Sequence, residues 1–201
     1  MRNFSRIKIF VSQDDGNSKI SVPLVEINNG VSSIQAGDLE SAFGMLPKGS
    51  HVCVIANGTV GNISIHGFAH VIREGGMFVS LDLSAAEEIS RVSDSPFREN
   101  LGLVSMLFPR NLLSISQEAF AGCANLERVI IPSSVQKIGE RAFSGCERLS
   151  SLKFDEPNGW FAESAGKEPL EILNLEDEAD NPCRFTLKSS PYRDCLLKKI
   201  S

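Results

Sequence analysis

The sequence predicts an α/β repeat fold: a right-handed solenoid with a parallel sheet on one face, short helical turns on the other, and an α/β cap in front. Three observations predict it. Residues 108–130 fall on residues 131–153 when the chain is slid by 23 positions. The matched positions are nearly all apolar, Gly or Pro, and the mismatches are mostly polar. Each repeat also divides into a short alternating apolar stretch and a Gly-terminated piece with helical spacing. Stacked repeats have this character because neighbouring coils dictate the core and leave the surface unconstrained.

The matches can be named. Pro109 meets Pro132, Ile115 meets Ile138, Ala119-Phe120 meets Ala142-Phe143, Gly122-Cys123 meets Gly145-Cys146, and Leu126 meets Leu149. Upstream, Ile89, Val92, Phe97, Leu103, Met106 and Phe108 precede Leu112, Ile115, Phe120, Leu126, Val129 and Ile131 by the same 23 residues. Val79-x-Leu81-x-Leu83 reads as the strand before Leu103. Downstream, Leu170-x-x-Leu173-x-Leu175 repeats Leu149-x-x-Leu152-x-Phe154 after a 21-residue step and predicts a fifth strand. The period-two stretch is a strand signal. The piece from Ile138 to Cys146 predicts barely two turns of α or 3₁₀ helix, ended by Gly145.

In front of the repeats, residues 4–11 and 19–27 alternate as strands joined by the turn Asp15-Gly16-Asn17. Asp38 to Leu46 predicts a helix that Asp38 can cap. His51 to Ala56 predicts a strand, and residues 61–74 an amphipathic helix stopped by Gly75-Gly76. The expected division is an N-terminal cap over 1–77, repeats over 78–176 and a C-terminal cap over 177–201.

Composition narrows the function. Of 201 residues, 42% are hydrophobic, enough for a sizeable core. A net charge of −5 argues against binding a phosphate backbone, which needs a basic face. The basic start (Arg2, Arg6) is followed by an apolar stretch that Lys8 interrupts, too short for a signal h-region. No run approaches the ~18 apolar residues of a membrane span. The expectation is a cytoplasmic chain that binds neither membrane nor nucleic acid. Five cysteines, an odd count with no CxxC pair, fit reduced thiols.

The phrase Ile131-Pro132-Ser133-Ser134-Val135-Gln136-Lys137-Ile138-Gly139-Glu140-Arg141-Ala142-Phe143-Ser144-Gly145-Cys146 resembles the BspA-like class of bacterial leucine-rich repeats, whose signature is IP-x-x-V-x-x-IG-x-x-AF-x-x-C-x-x-L. The match is specific over 108–154 and weaker over 78–107. The flanks are similar to spirochaete members: Leu46-Pro47-Lys48-Gly49 and Val79 to Ser84 as lead-in, Trp160, the strand at 170–175 and Tyr192 to Lys199 as end piece. The resemblance covers roughly residues 38–199 and implies a leucine-rich-repeat fold and a binding or adhesion role, often at a cell surface, without catalytic residues. This chain has few repeats and no export signal, which departs from a surface adhesin.

Candidate chemistry is sparse. Cys123 and Cys146 hold the same place in successive repeats. A metal or redox pair fits that placement, and so does a buried ladder of thiols acting as small hydrophobes, which the surrounding Ala-Phe-x-Gly phrase favours. Cys53 alternates with Val52 and Val54, so the strand can point it outward, with no basic neighbour to lower its pKa. His66 and His70 share a helix face at i,i+4, but position 67 is Gly and no third ligand is evident. The acidic run Glu176-Asp177-Glu178-Ala179-Asp180 lacks the ligand spacing of a calcium loop. The acceptor patterns Asn57-Gly58-Thr59 and Asn62-Ile63-Ser64 carry no meaning in a cytoplasmic chain. No nucleophile elbow, P-loop or dinucleotide phrase is present, so neither a cofactor nor an enzymatic activity is expected.

The outward strand residues are the better handle. If Leu126, Val129 and Ile131 face the core, their alternates face out. Two rows then cross the stack: Ser80, Ser105, Arg128, Ser151, Ile172; and Asp82, Leu107, Ile130, Lys153, Asn174. The second row sets Leu107 beside Ile130 between charges, an apolar patch with a polar rim. Five strands make a face about 24 Å wide. The expected function is a non-enzymatic module that binds a protein or peptide on this face. Two other classes stay open: a small-ligand or metal protein using a pocket near the N-terminal cap with His66, His70 and Cys53, and a self-associating homo-oligomer.

Overall fold

A computed structural model describes residues 6–14, 19–28, 36–58, 65–87, 89–163, 170–171, 175–177, 179, 181–187, 190 and 192–199. In chain order the elements are β1 (Arg6–Asp14), β2 (Lys19–Asn28), α1 (Ala36–Gly44), β3 (His51–Gly58), α2 (Ile65–Gly75), β4 (Phe78–Ala86), β5 (Arg91–Val92), β6 (Leu103–Leu107), β7 (Ser114–Ile115), β8 (Arg128–Ile131), β9 (Lys137–Ile138), β10 (Ser151–Phe154), β11 (Trp160–Glu163), β12 (Leu170–Glu171), α3 (Asn181–Thr186) and β13 (Leu196–Lys199). They form two sheets. The larger has seven strands in the order β10-β8-β6-β4-β3-β1-β2; the smaller has six, in the order β12-β11-β13-β9-β7-β5.

The repeats make the parallel parts of both sheets. Met106 pairs with Val129 and Leu152 with Val129 in the large sheet, and Val92-Ile115-Ile138 run in parallel register in the small one. The register follows the 23-residue slide, because a one-residue slip would turn every core side chain to the wrong face. Leu103, Met106, Leu126, Val129, Leu152, Ile115 and Ile138 are all buried between the two sheets' strands. This is an α/β repeat fold with a mostly parallel main sheet.

The segment between the two strand sets differs from expectation. Residues 139–146 form no helix; they run as successive turns. Arg141 has φ 56° and Gly145 φ 74°, both in the left-handed region, so a helix cannot propagate through them. The backbone turns its N–H groups along the stack instead. Glu118, Phe120 and Gly122 donate to the carbonyls of Glu140, Ala142 and Ser144 in the next coil, and Phe97 and Glu99 donate to Ala119 and Ala121. A ladder between coils takes the place of hydrogen bonds within a helix.

Packing on this side is repetitive. The rings of Phe97, Phe120 and Phe143 stack at 5.2 and 5.5 Å, each pair 8° from parallel. Gly139 lies against the previous coil so closely that a Cβ there would sit 2.2 Å from the Gln117 nitrogen. Asn100, Cys123 and Cys146 hold one repeat position and each donates to a buried carbonyl: Asn100 Nδ2 to Ala69 O (2.8 Å), Cys123 Sγ to Phe97 O (2.8 Å) and Cys146 Sγ to Phe120 O (3.1 Å). Asn100 thereby ties α2 to the first coil.

The ends are less regular. Both N-terminal strands form and run on past their expected ends, to Asp14 and Asn28, while residues 4–5 and the turn at 15–17 lie outside the described residues. They join the large sheet: β3 pairs in parallel with β4, and β1 pairs antiparallel with both β3 and β2. The helix α1 starts at Ala36, so Asp38 lies inside its first turn and is not its cap. At the other end, Leu170–Glu171 pairs antiparallel with β11 in the small sheet, not in parallel beside β10. The strand β13 runs antiparallel to β9, with Leu197 opposite Ile138. Asn181 Nδ2 donates to the carbonyls of Leu152 and Leu175 and closes the edge of β10.

Candidate functional site

Alternation along the repeat strands turns two rows of side chains outward. On β4, β6, β8 and β10 the core positions are buried and the alternates are half-buried or exposed. Cα pairing places Ser80 beside Ser105, Ser105 beside Arg128, and Arg128 beside Ser151. The second row runs Asp82, Leu107, Ile130, Lys153 in the same way. Leu107 and Ile130 are thus neighbours, each half-buried. Eight of the ten expected residues stand in two rows on four adjacent strands. The other two, Ile172 and Asn174, lie outside the described residues, and the described start of their segment belongs to the small sheet.

Both rows continue further than the sequence suggested, because β3 docks beside β4. Cys53 pairs with Ser80 and Ile55 with Asp82, extending the face by another strand. His51 and Phe78, opposite each other, stack with ring centroids 5.0 Å apart. The pairing of β4 with β6 slips by one residue after Val79, so Val104 bulges and is half-buried on the face. A groove of about 380 Å³ results, lined by His51, Cys53, Phe78, Ser80, Ser105 and Arg128 among others. The outward placement of Cys53 already implied His51 and Ile55 on the same face. What a single sequence lacked was the docking of β3 on β4, a long-range pairing with no repeat to announce it.

The electrostatics of the face are uneven. Arg128 and Lys153, on adjacent strands, have no ion-pair or hydrogen-bond partner for their side chains among the described residues. Asp82 accepts a hydrogen bond from the Ser84 N–H at 2.9 Å. Burial, and then the Asp82 carboxylate, raises the Cys53 thiol above its ordinary pKa, so it is a neutral wall of the groove and not a thiolate.

The candidates of the small-ligand alternative are not brought together. His70 lines a cleft of about 390 Å³ between α1 and α2, with Phe43, Leu46, Val71 and Met77, and its Nε2 is 3.9 Å from Glu40. His66 faces Asp94 at 3.9 Å, and Cys53 lines the sheet groove instead. Among the described residues, no group of three His, Cys, Asp or Glu is arranged to hold a metal ion. Cys123 and Cys146 are buried and unbridged in the ladder. Desolvation pushes the Cys123 thiol up to about 12 and raises Cys146 as well, which suits hydrogen-bond donors in a core. No described helix is long and apolar enough to cross a membrane.

A family model for the BspA type leucine rich repeat region matches residues 79–168 in six copies. The chain carries a BspA-type leucine-rich repeat region. No curated protein and no solved structure matches it. The matched span holds β4 from Val79 onward and β5 to β11, and so the eight described residues of the two outward rows. Leucine-rich repeats are in general protein-interaction modules and typically non-enzymatic.

Proposed function

We propose that this chain is a non-enzymatic module that binds a protein or peptide on the outward face of the large sheet. The coils in this reading wind as a right-handed solenoid between the N-terminal strands and the C-terminal end piece. The observation that carries it is the pair Leu107 and Ile130. They sit side by side in register, half-buried, with Asp82 on one flank and Arg128 and Lys153 on the other. Apolar side chains ringed by polar ones desolvate readily while the rim sets register and partner choice.

The test is a double substitution, Leu107→Asp with Ile130→Asp, compared by quantitative affinity capture with wild type and with Arg91→Glu on the small sheet. Circular dichroism should show all three folded. Partner signal should fall at least tenfold for the sheet-face variant and hold for Arg91→Glu. Equal capture by wild type and the double variant overturns the assignment. If the captured partner is a second copy of the chain, light scattering across concentration will show it, and the same substitutions should then give a monomer.

A further inference from the structure

The groove beside the Leu107–Ile130 patch has two unlike ends. One is an aromatic shelf, Phe78 under His51 on β4 and β3. The other is the guanidinium of Arg128 on β8, with Lys153 diagonally across on β10. Between them the floor is made of small side chains: Cys53, Ser80 and Ser105. The hydroxyls of Ser80 and Ser105 have no hydrogen-bond partner among the described residues. Ser150 at the rim is engaged, its Oγ donating to Glu127 O at 3.2 Å.

Charge orders this surface. The acidic side chain of the outward rows, Asp82, lies on β4; the basic ones lie on β8 and β10. Glu127 also lines the groove and partly offsets Arg128. Lys153, in the row that Glu127 does not border, leaves the β8–β10 side cationic on a chain whose net charge is −5. Unpaired cations on an otherwise acidic protein favour an anionic group in a partner. Arg128 is level with Ser80, two residues beyond Phe78 along the strand and two strands across. With strands about 4.8 Å apart and residues ~3.3 Å apart along them, Phe78 and Arg128 are separated by about 12 Å, which an extended chain covers in about three to four residues. Serine-sized floor residues let its backbone come close enough to bond their hydroxyls.

We propose that this groove takes an extended acidic segment of a partner protein, with an apolar or aromatic side chain on the Phe78–His51 shelf and a carboxylate about three to four residues away on Arg128 and Lys153. The proposal rests on the sheet-face reading and adds the chemistry and polarity of what binds there. The neutral Cys53 thiol gives the segment an apolar wall, in keeping with the shelf.

The experiment is selection of random twelve-residue peptides displayed on phage against the full chain, followed by affinity measurement on a synthetic peptide from the enriched set. The expected peptides share a Phe, Tyr, Trp or Leu and an Asp or Glu about three to four positions apart. Arg128→Glu and Phe78→Ser should each weaken the synthetic peptide at least tenfold. A peptide with Lys in place of the acid should recover affinity for Arg128→Glu but not for wild type, an outcome that a merely misfolded variant cannot give. Enriched peptides that depend on Leu107 and Ile130 but carry no acid, or ignore Arg128, overturn this proposal and leave the sheet-face reading standing. Peptides indifferent to both sets of residues, or no enrichment at all, overturn the two together.

Discussion

The turn side and the sheet face of the same coils treat their side chains in opposite ways. On the turn side, groups find partners in an adjacent coil or in the C-terminal end piece: Phe97, Phe120 and Phe143 stack, the Cys123 and Cys146 thiols donate to carbonyls of the preceding coil, and Arg98, Glu118, Arg141 and Asp194 alternate in charge, with Arg98 to Glu118 at 2.5 Å and Arg141 to Asp194 at 2.7 Å. On the sheet face Arg128, Lys153, Ser80 and Ser105 have none among the described residues, and Leu107 and Ile130 are only half covered. The difference teaches where stability and recognition lie. One side holds neighbouring coils together; the other presents groups whose hydrogen-bonding and apolar capacity is still available.

Substitutions can break this division, and the largest effect belongs to Gly139→Ala. Its Cβ would meet the Gln117 backbone nitrogen at 2.2 Å, and backbone cannot step aside as a side-chain tip can. A loss above about 5 kcal/mol in urea unfolding is expected, beyond the usual range of a single substitution. Ser105→Ala on the sheet face should change stability by less than about 0.5 kcal/mol. If the two cost the same, the division is wrong. Phe120→Ala comes close behind Gly139→Ala, at about 3–5 kcal/mol, because it removes the middle ring of the stack and its edge contact with Phe108.

The thiol ladder sharpens the comparison through pH. Burial raises Cys123 from 9.0 to about 12, so the folded chain keeps a proton that the unfolded chain releases. The sign follows: the ladder's contribution is complete below pH 9 and is lost as pH rises through 9 toward about 12. Urea midpoints should therefore fall over that interval, and fall less steeply in a Cys123→Ala/Cys146→Ala variant than in wild type. Equal slopes would mean that the buried thiols take no part.

The smallest expected effect is a gain. Glu99 has φ 56° at the position where the next two coils place Gly122 and Gly145. Glu99→Gly restores the residue that this conformation favours and should raise stability by under about 1 kcal/mol. A clear loss in thermal melting would show instead that the Glu99 side chain, packed 3.1 Å from the Cβ position of Gly122, holds the first two coils together.

What was legible in the sequence followed the repeat. The register of β6, β8 and β10, the ring stack and the two outward rows all come from one slide, since a stacked coil must bury the same positions as its neighbour. The turns were not legible. Ala119-Phe120 and Ala142-Phe143 have helical spacing, but the left-handed residues that forbid a helix are Ser95, Glu118 and Arg141, none of which advertises that conformation as Gly does. The placement of Leu170–Glu171 was hidden for a related reason. Its pattern matches Leu149 to Phe154, yet antiparallel pairing with Trp160–Glu163 claims it first. Of the candidate site, the rows were readable and the groove was not, because His51 and Phe78 meet only when β3 lies on β4.

The strand Leu196–Lys199 has a consequence for how the molecule comes apart. It lies on Lys137–Ile138, Lys199 N–H donates to Gln136 O, and Arg141 N–H donates to Arg193 O. A stack of coils ordinarily frays from its last member, as a zipper opens from its end. Here the later chain doubles back across an earlier coil, so the coil of Ser151–Phe154 sits inside a closed circuit. Its amide protons should exchange together with those of Lys137–Ile138 and not ahead of them, and opening should begin on the side of β5, which no strand crosses among the described residues.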